Sequence, residues 1–164
     1  MKRLPLFFSL AKRTVSCLIR GRLTVSIAES CTGGRLSDTL TNIPGSSACF
    51  MGAVVAYSNE AKIKLLDVPK KKIEKYGAVS EEAAALMAEN IRKKIKSDIG
   101  LSVTGIAGPG GGTVKKPVGL VYFGLAFKNN KVHVKKHLFK GSREKIKEQA
   151  VRYALEWLLQ SIGS

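Results

Sequence analysis

Apolar positions along this chain follow two rhythms. Short β-branched runs at residues 23–28 and 99–106 read as strands. Ala84, Met87, Ala88, Ile91 and Ile95 recur at three- and four-residue steps and form one face of a helix. Ser80, with Glu81 and Glu82 behind it, starts that helix, and basic residues close it near Lys96. Residues 49–57 are an almost unbroken apolar run, which predicts a strand covered on both faces. Segments 118–128 and 131–139 flank Asn129-Asn130, a dipeptide that tolerates positive φ and suits a hairpin. Further helices are predicted over 5–20, 34–41, from Ser58 or Asn59 to 66, and over 143–159 behind the cap Ser142. In the last, Ile146, Ala150, Tyr153, Ala154, Trp157 and Leu158 share one face. The order α-β-α-β-α-α-β-β-β-α predicts an α/β protein, a three-layer α/β/α sandwich around a mixed β-sheet. The chain reads as one domain, with residues 1–21 an amphipathic helix packed on the body formed by 22–160.

Composition changes this picture in one respect. The 164 residues carry 45% hydrophobic and 24% charged side chains, ordinary for a globular domain, but the net charge is +16. Such a field favours an anionic partner, either nucleic acid or a phosphorylated small molecule. The lysines are spread along the chain, no single basic strip studded with aromatics is expected, and no RRM, KH or zinc-finger pattern is present. The first 28 residues lack acids, as transit peptides do, yet a secretory signal is disfavoured because Lys12 and Arg13 interrupt a short apolar run. A cytoplasmic protein with no membrane partner is expected. Cys17, Cys31 and Cys49 share no CxxC spacing, and His133 and His137 fall on one face of a strand, so no metal and no cofactor is implied.

The chemistry gathers at the ends of strands. Ala28-Glu29-Ser30-Cys31-Thr32-Gly33-Gly34 follows the first strand, and its glycines and hydroxyls suit a tight turn holding an anion or a nucleophile. Pro44-Gly45-Ser46-Ser47 precedes the second strand, and Tyr57-Ser58-Asn59-Glu60-Ala61-Lys62 follows it. Thr104-Gly105-Ile106-Ala107-Gly108-Pro109-Gly110-Gly111-Gly112 ends the third, continuing to Lys116-Pro117-Val118-Gly119. Taken singly, each has a plain structural explanation. Together with Gly77-Ala78-Val79-Ser80-Glu81, in this order and spacing, they resemble the CinA C-terminal domain family, whose characterised enzymes are nicotinamide-nucleotide amidases. The resemblance covers about residues 22 to 160.

That resemblance implies hydrolysis of the carboxamide of nicotinamide mononucleotide by a Ser/Lys mechanism, as part of pyridine nucleotide salvage. It implies Ser47 as nucleophile and Lys62 as base, with Ser30 as rival nucleophile or relay hydroxyl, and Ser46 not separable from Ser47 by spacing. Tyr57 and Thr104 would orient substrate or catalytic groups. Thr32, Gly33, Ser46, Gly105, Gly108 and Arg143 would bind substrate, with Arg143 toward its phosphate. Backbone N–H groups of residues 45–48 or 105–108 would hold the oxyanion. A lysine base must act uncharged, so its pKa has to fall from about 10.4 to roughly 7–8, which burial against the second strand would achieve. A homo-oligomer is expected on the same resemblance. The alternative, drawn from charge alone, is a nucleic-acid-binding or competence-linked accessory protein without amidase turnover.

Overall fold

The computed structural model describes residues 7–163, so the predicted start of the first helix at residue 5 lies outside the described residues. In chain order the elements are α1 (Phe8–Arg20), β1 (Val25–Glu29), α2 (Arg35–Thr41), a 3-10 turn (Ser46–Ala48), β2 (Phe50–Val55) and α3 (Asn59–Leu66). They continue with α4 (Lys70–Tyr76), α5 (Glu81–Ile95), β3 (Ile99–Gly105), β4 (Leu120–Phe127), β5 (Val132–Leu138) and α6 (Arg143–Ile162). The strands form one sheet in the order β2-β1-β3-β4-β5. β1 runs parallel to both β2 and β3, while β4 and β5 are antiparallel additions. The sheet is therefore mixed.

Two apolar layers sandwich it. On one face α1, α2 and α6 contribute Ala11, Val15, Leu18, Leu36, Leu40, Ala154 and Leu158 to a core with Ile27, Leu101, Phe123 and Leu125. On the other, Leu66 of α3, Ile73 of α4 and Met87 and Ile91 of α5 pack with Ala28. α5 lies unusually close to the sheet, because a Cβ on Gly100 or Gly124 would collide with the carbonyl oxygens of Ala88 and Ala84. Ser102 Oγ donates to that same Ala84 carbonyl at 2.6 Å. The β4–β5 hairpin turns at Asn130, whose φ of 62° is in the left-handed region.

Two expectations change. The apolar run ending at Tyr57 is not covered on both faces: β2 is an edge strand, and Met51 and Val55 are 50% and 44% exposed. An unbroken apolar run does not say whether a strand is central. The helix α4 was not predicted, since its sequence, Lys-Lys-Lys-Ile-Glu-Lys-Tyr, buries Ile73 alone and so shows no periodicity.

Candidate active site

The chain leaves β1 toward β2 across one face of the sheet and reaches β3 across the other, so the order of strands reverses around β1. In open α/β sheets a crevice opens outside the carboxyl ends of strands at such a point. Here those ends carry Glu29 of β1 and Gly105 of β3, with Val55 of β2 alongside.

Glu29 organises the first loop. Its carboxylate is fully buried and accepts from the N–H groups of Gly34 (2.9 Å), Leu36 (3.1 Å) and Ser37 (2.8 Å), and from Ser37 Oγ (2.5 Å). It thus fills the N-terminus of α2 from beneath and draws the chain into a tight bend. Gly33 and Gly34 make the bend with φ of 63° and 92°, values that side chains resist. The bend fixes Ser30, whose N–H donates to Val103 O of β3 at 2.9 Å. Glu29 carried no assigned role in the sequence; the only sign was an acid between a strand and a glycine turn.

Lys62 comes from α3, which Ser58 caps by accepting from Ala61 N at 3.0 Å. The side chain turns inward and is 2% exposed. Its Nζ lies 2.9 Å from Ser30 Oγ and donates to the carbonyls of Ala56 (2.9 Å) and Tyr57 (3.4 Å). No carboxylate pairs with it among the described residues. Burial is therefore uncompensated and lowers its pKa from 10.5 to about 8, with the Cys31 thiol acting weakly the other way. Cys31 itself is buried, which pushes its thiol up to about 12, so it stays protonated and inert.

The cleft above this pair has a volume of about 290 Å³ and is lined by Ser30, Lys62, Tyr57, Thr104 and the loop containing Gly105 and Gly108, with Arg143 at its edge. Arg143, in the first turn of α6, donates from Nη1 to Gly108 O at 2.6 Å and from Nη2 to Tyr57 Oη at 2.7 Å. Thr104 Oγ1 donates to Ala78 O at 2.8 Å and ties the segment before α5 to β3. Lys116 Nζ reaches Tyr76 O at 2.6 Å and holds the far end of the glycine loop.

The structure thus brings together Ser30, Tyr57, Lys62, Thr104, Gly105, Gly108 and Arg143. It does not bring Ser47 to Lys62. Ser47 is exposed in the 3-10 turn before β2, whereas Lys62 lies beyond its other end. Six residues of strand, at about 3.3 Å each, separate the two by roughly 20 Å. Ser46 is at the same remote end, with its carbonyl accepting from Cys49 N at 3.0 Å. Oxyanion donors from that turn are excluded for the same reason. Thr32 and Gly33 do not line the cleft either. Thr32 is buried with Oγ1 unpartnered, and Gly33 faces Lys147. Among the described residues no cluster of three or more His, Cys, Asp or Glu could hold a metal ion, and no helix is long and apolar enough to cross a membrane.

Fold and site together define a three-layer α/β protein with a buried hydroxyl–amine pair at the reversal point of its sheet. The chain belongs to the CinA C-terminal domain family, whose model matches residues 8–162. It is 55% identical over 145 residues to a putative competence-damage inducible protein of Alkaliphilus metalliredigens, covering 88% of this chain and 35% of that protein. A CinA-like protein of Kosmotoga olearia is 50% identical over 154 residues, covering 94% and 37%. The chain spans about a third of the length of these relatives. Among solved structures, the competence/damage inducible protein CihA of Agrobacterium tumefaciens aligns with a TM-score of 0.94 at 37% identity, covering 100% of both chains. A CinA superfamily protein of Klebsiella pneumoniae aligns at 0.91 and 32%, covering 95% of this chain and 97% of that one.

Proposed function

We propose that this chain hydrolyses the carboxamide of nicotinamide mononucleotide to nicotinic acid mononucleotide and ammonia, with Ser30 as nucleophile and Lys62 as base. The observation that carries this reading is the 2.9 Å approach of a buried, unpaired lysine amine to a serine hydroxyl inside a cleft. An uncharged amine has two N–H bonds and one lone pair. The carbonyls of Ala56 and Tyr57 take the two N–H bonds, leaving the lone pair for Ser30. Lys62 accepts the Ser30 proton as Oγ attacks the amide carbon, then returns it to the departing nitrogen, which leaves as ammonia. Water, deprotonated by the same amine, cleaves the resulting ester and restores Ser30. The N–H groups of Ala107 and Gly108 are the donors we assign to the oxyanion, and Arg143 the cation for the substrate phosphate.

Tyr57 holds Arg143, and Thr104 keeps the wall of the cleft in place. No cofactor enters these steps. We place the reaction in the cytoplasm, as part of pyridine nucleotide salvage, in an enzyme that associates with copies of itself. The test is ammonia release from nicotinamide mononucleotide. Ser30→Ala and Lys62→Met each lower turnover by about 10³-fold or more, while Ser47→Ala stays at the wild-type level. Full turnover in Ser30→Ala, or loss in Ser47→Ala alone, overturns the assignment.

A further inference from the structure

All twelve acidic residues lie outside residues 99–143, a stretch that carries seven lysines, Arg143 and both histidines. The fold concentrates part of this stretch on one surface. Register places His133, Lys135 and His137 opposite Leu125, Phe123 and Val121 of β4, so all three project toward α6. Lys131, exposed and two residues before His133, extends the row at one end, and Lys140, also exposed, lies just beyond the other end of β5. Aromatic rings from other elements floor it. Lys135 Nζ stands 5.3 Å from the Trp157 ring centroid, His133 lies 6.0 Å from Phe127, and His137 is 5.3 Å from Tyr153. Between β5 and the end of α6 a groove of about 390 Å³ is lined by Phe127, His133, Lys135, Trp157 and Ser161. The acids nearby are engaged elsewhere: Glu156 pairs with Arg152, Glu144 and Glu148 face Arg35, and Asp98 pairs with Lys128. The linear sequence hides this strip because its cations and most of its aromatics come from different elements.

We propose that the α6-facing side of β5 binds single-stranded nucleic acid, independently of the cleft. Alternate residues of a strand stand about 7 Å apart, so Lys131 and Lys135 present a line of charge that a phosphodiester chain can follow, and Lys140 adds a cation just past the end of β5. A base enters the groove against His133 and the aromatic floor. A duplex keeps its base faces stacked inside and cannot use that floor. A membrane surface calls for projecting apolar side chains, and the exposed Leu138 belongs to the opposite face of β5.

The experiment is fluorescence anisotropy of the full chain with a labelled oligothymidylate of about 12 nucleotides, across a salt series. Binding is saturable, and Lys131→Gln/Lys135→Gln/Lys140→Gln weakens it about tenfold or more and flattens the slope of log affinity against log salt by about 2. A control of equal charge change on α4, Lys70→Gln/Lys71→Gln/Lys72→Gln, leaves both near wild type. His133→Ala weakens oligothymidylate binding but not binding of inorganic polyphosphate. Ammonia release from nicotinamide mononucleotide is unchanged in every variant, and circular dichroism confirms that each is folded. Equal loss in both lysine triples, absence of saturable binding, insensitivity to His133→Ala, or tighter binding to phosphatidylserine vesicles overturns the proposal.

Discussion

Lys62 loses hydration without gaining a counter-ion, and this sets both its reactivity and its cost. Its pKa of about 8 in the folded protein lies below the ordinary 10.5 of an exposed lysine. Between those values the unfolded chain holds the proton that the folded chain has released, so stability rises with pH across this window. Below about pH 8 the folded protein carries a buried charge, at a cost on the order of 3 kcal/mol. Lys62→Met should therefore be more stable than wild type at neutral pH, and its own urea-unfolding free energy should show no rise between about pH 8 and 10.5, while the proposed mechanism makes it inactive. With Lys62 as the proposed base, kcat/KM for ammonia release by the wild type should rise with pH and level off above about 8. Lys62 was legible in the sequence because a lysine follows an apolar strand within a recognisable motif. The partner was not, since Ser30 and Ser47 both stand beside glycines next to strands. Only the direction and length of β2 part them.

At the scale of elements, the site rests on two local devices. Glu29 closes the N-terminus of α2 and so shapes the loop bearing Ser30. Glu29→Gln keeps the volume but replaces an acceptor-only group with one that also donates, leaving a buried donor facing backbone N–H groups. Thermal unfolding should report a loss of about 2 kcal/mol or more, and ammonia release should fall with it because Ser30 shifts. The second device is the close seating of α5 on the sheet at Gly100 and Gly124. Gly100→Ala forces a methyl against the Ala88 carbonyl and should cost about 3 kcal/mol, read as a lower urea midpoint. Capped helices such as α5 and α6 were readable from Ser80 and Ser142, whose hydroxyls accept from Ala83 N and Lys145 N in the structure. α4 was not readable, because one buried isoleucine makes no pattern.

At the scale of the molecule, the sequence indicates which elements exist and in what order, and hence the three-layer class. Strand order is a long-range property, and it is what carries the carboxyl ends of β1 and β3 to a common crevice beside the end of β2. It also leaves β5 at an edge, where unbalanced lysines gather. With a net charge of +16 the folded chain repels itself, so raising salt from low to physiological strength should raise the unfolding temperature. On the proposed mechanism, this sheet order selects Ser30 as the nucleophile paired with Lys62. Acid-quenching the enzyme during turnover of nicotinamide mononucleotide and mapping the acylated peptide by mass spectrometry tests it most directly. The proposed mechanism gives an ester of nicotinic acid mononucleotide, ribosyl phosphate retained, on Ser30, and no such ester in Lys62→Met. An ester on Ser47, or turnover in which no serine is acylated, would contradict it.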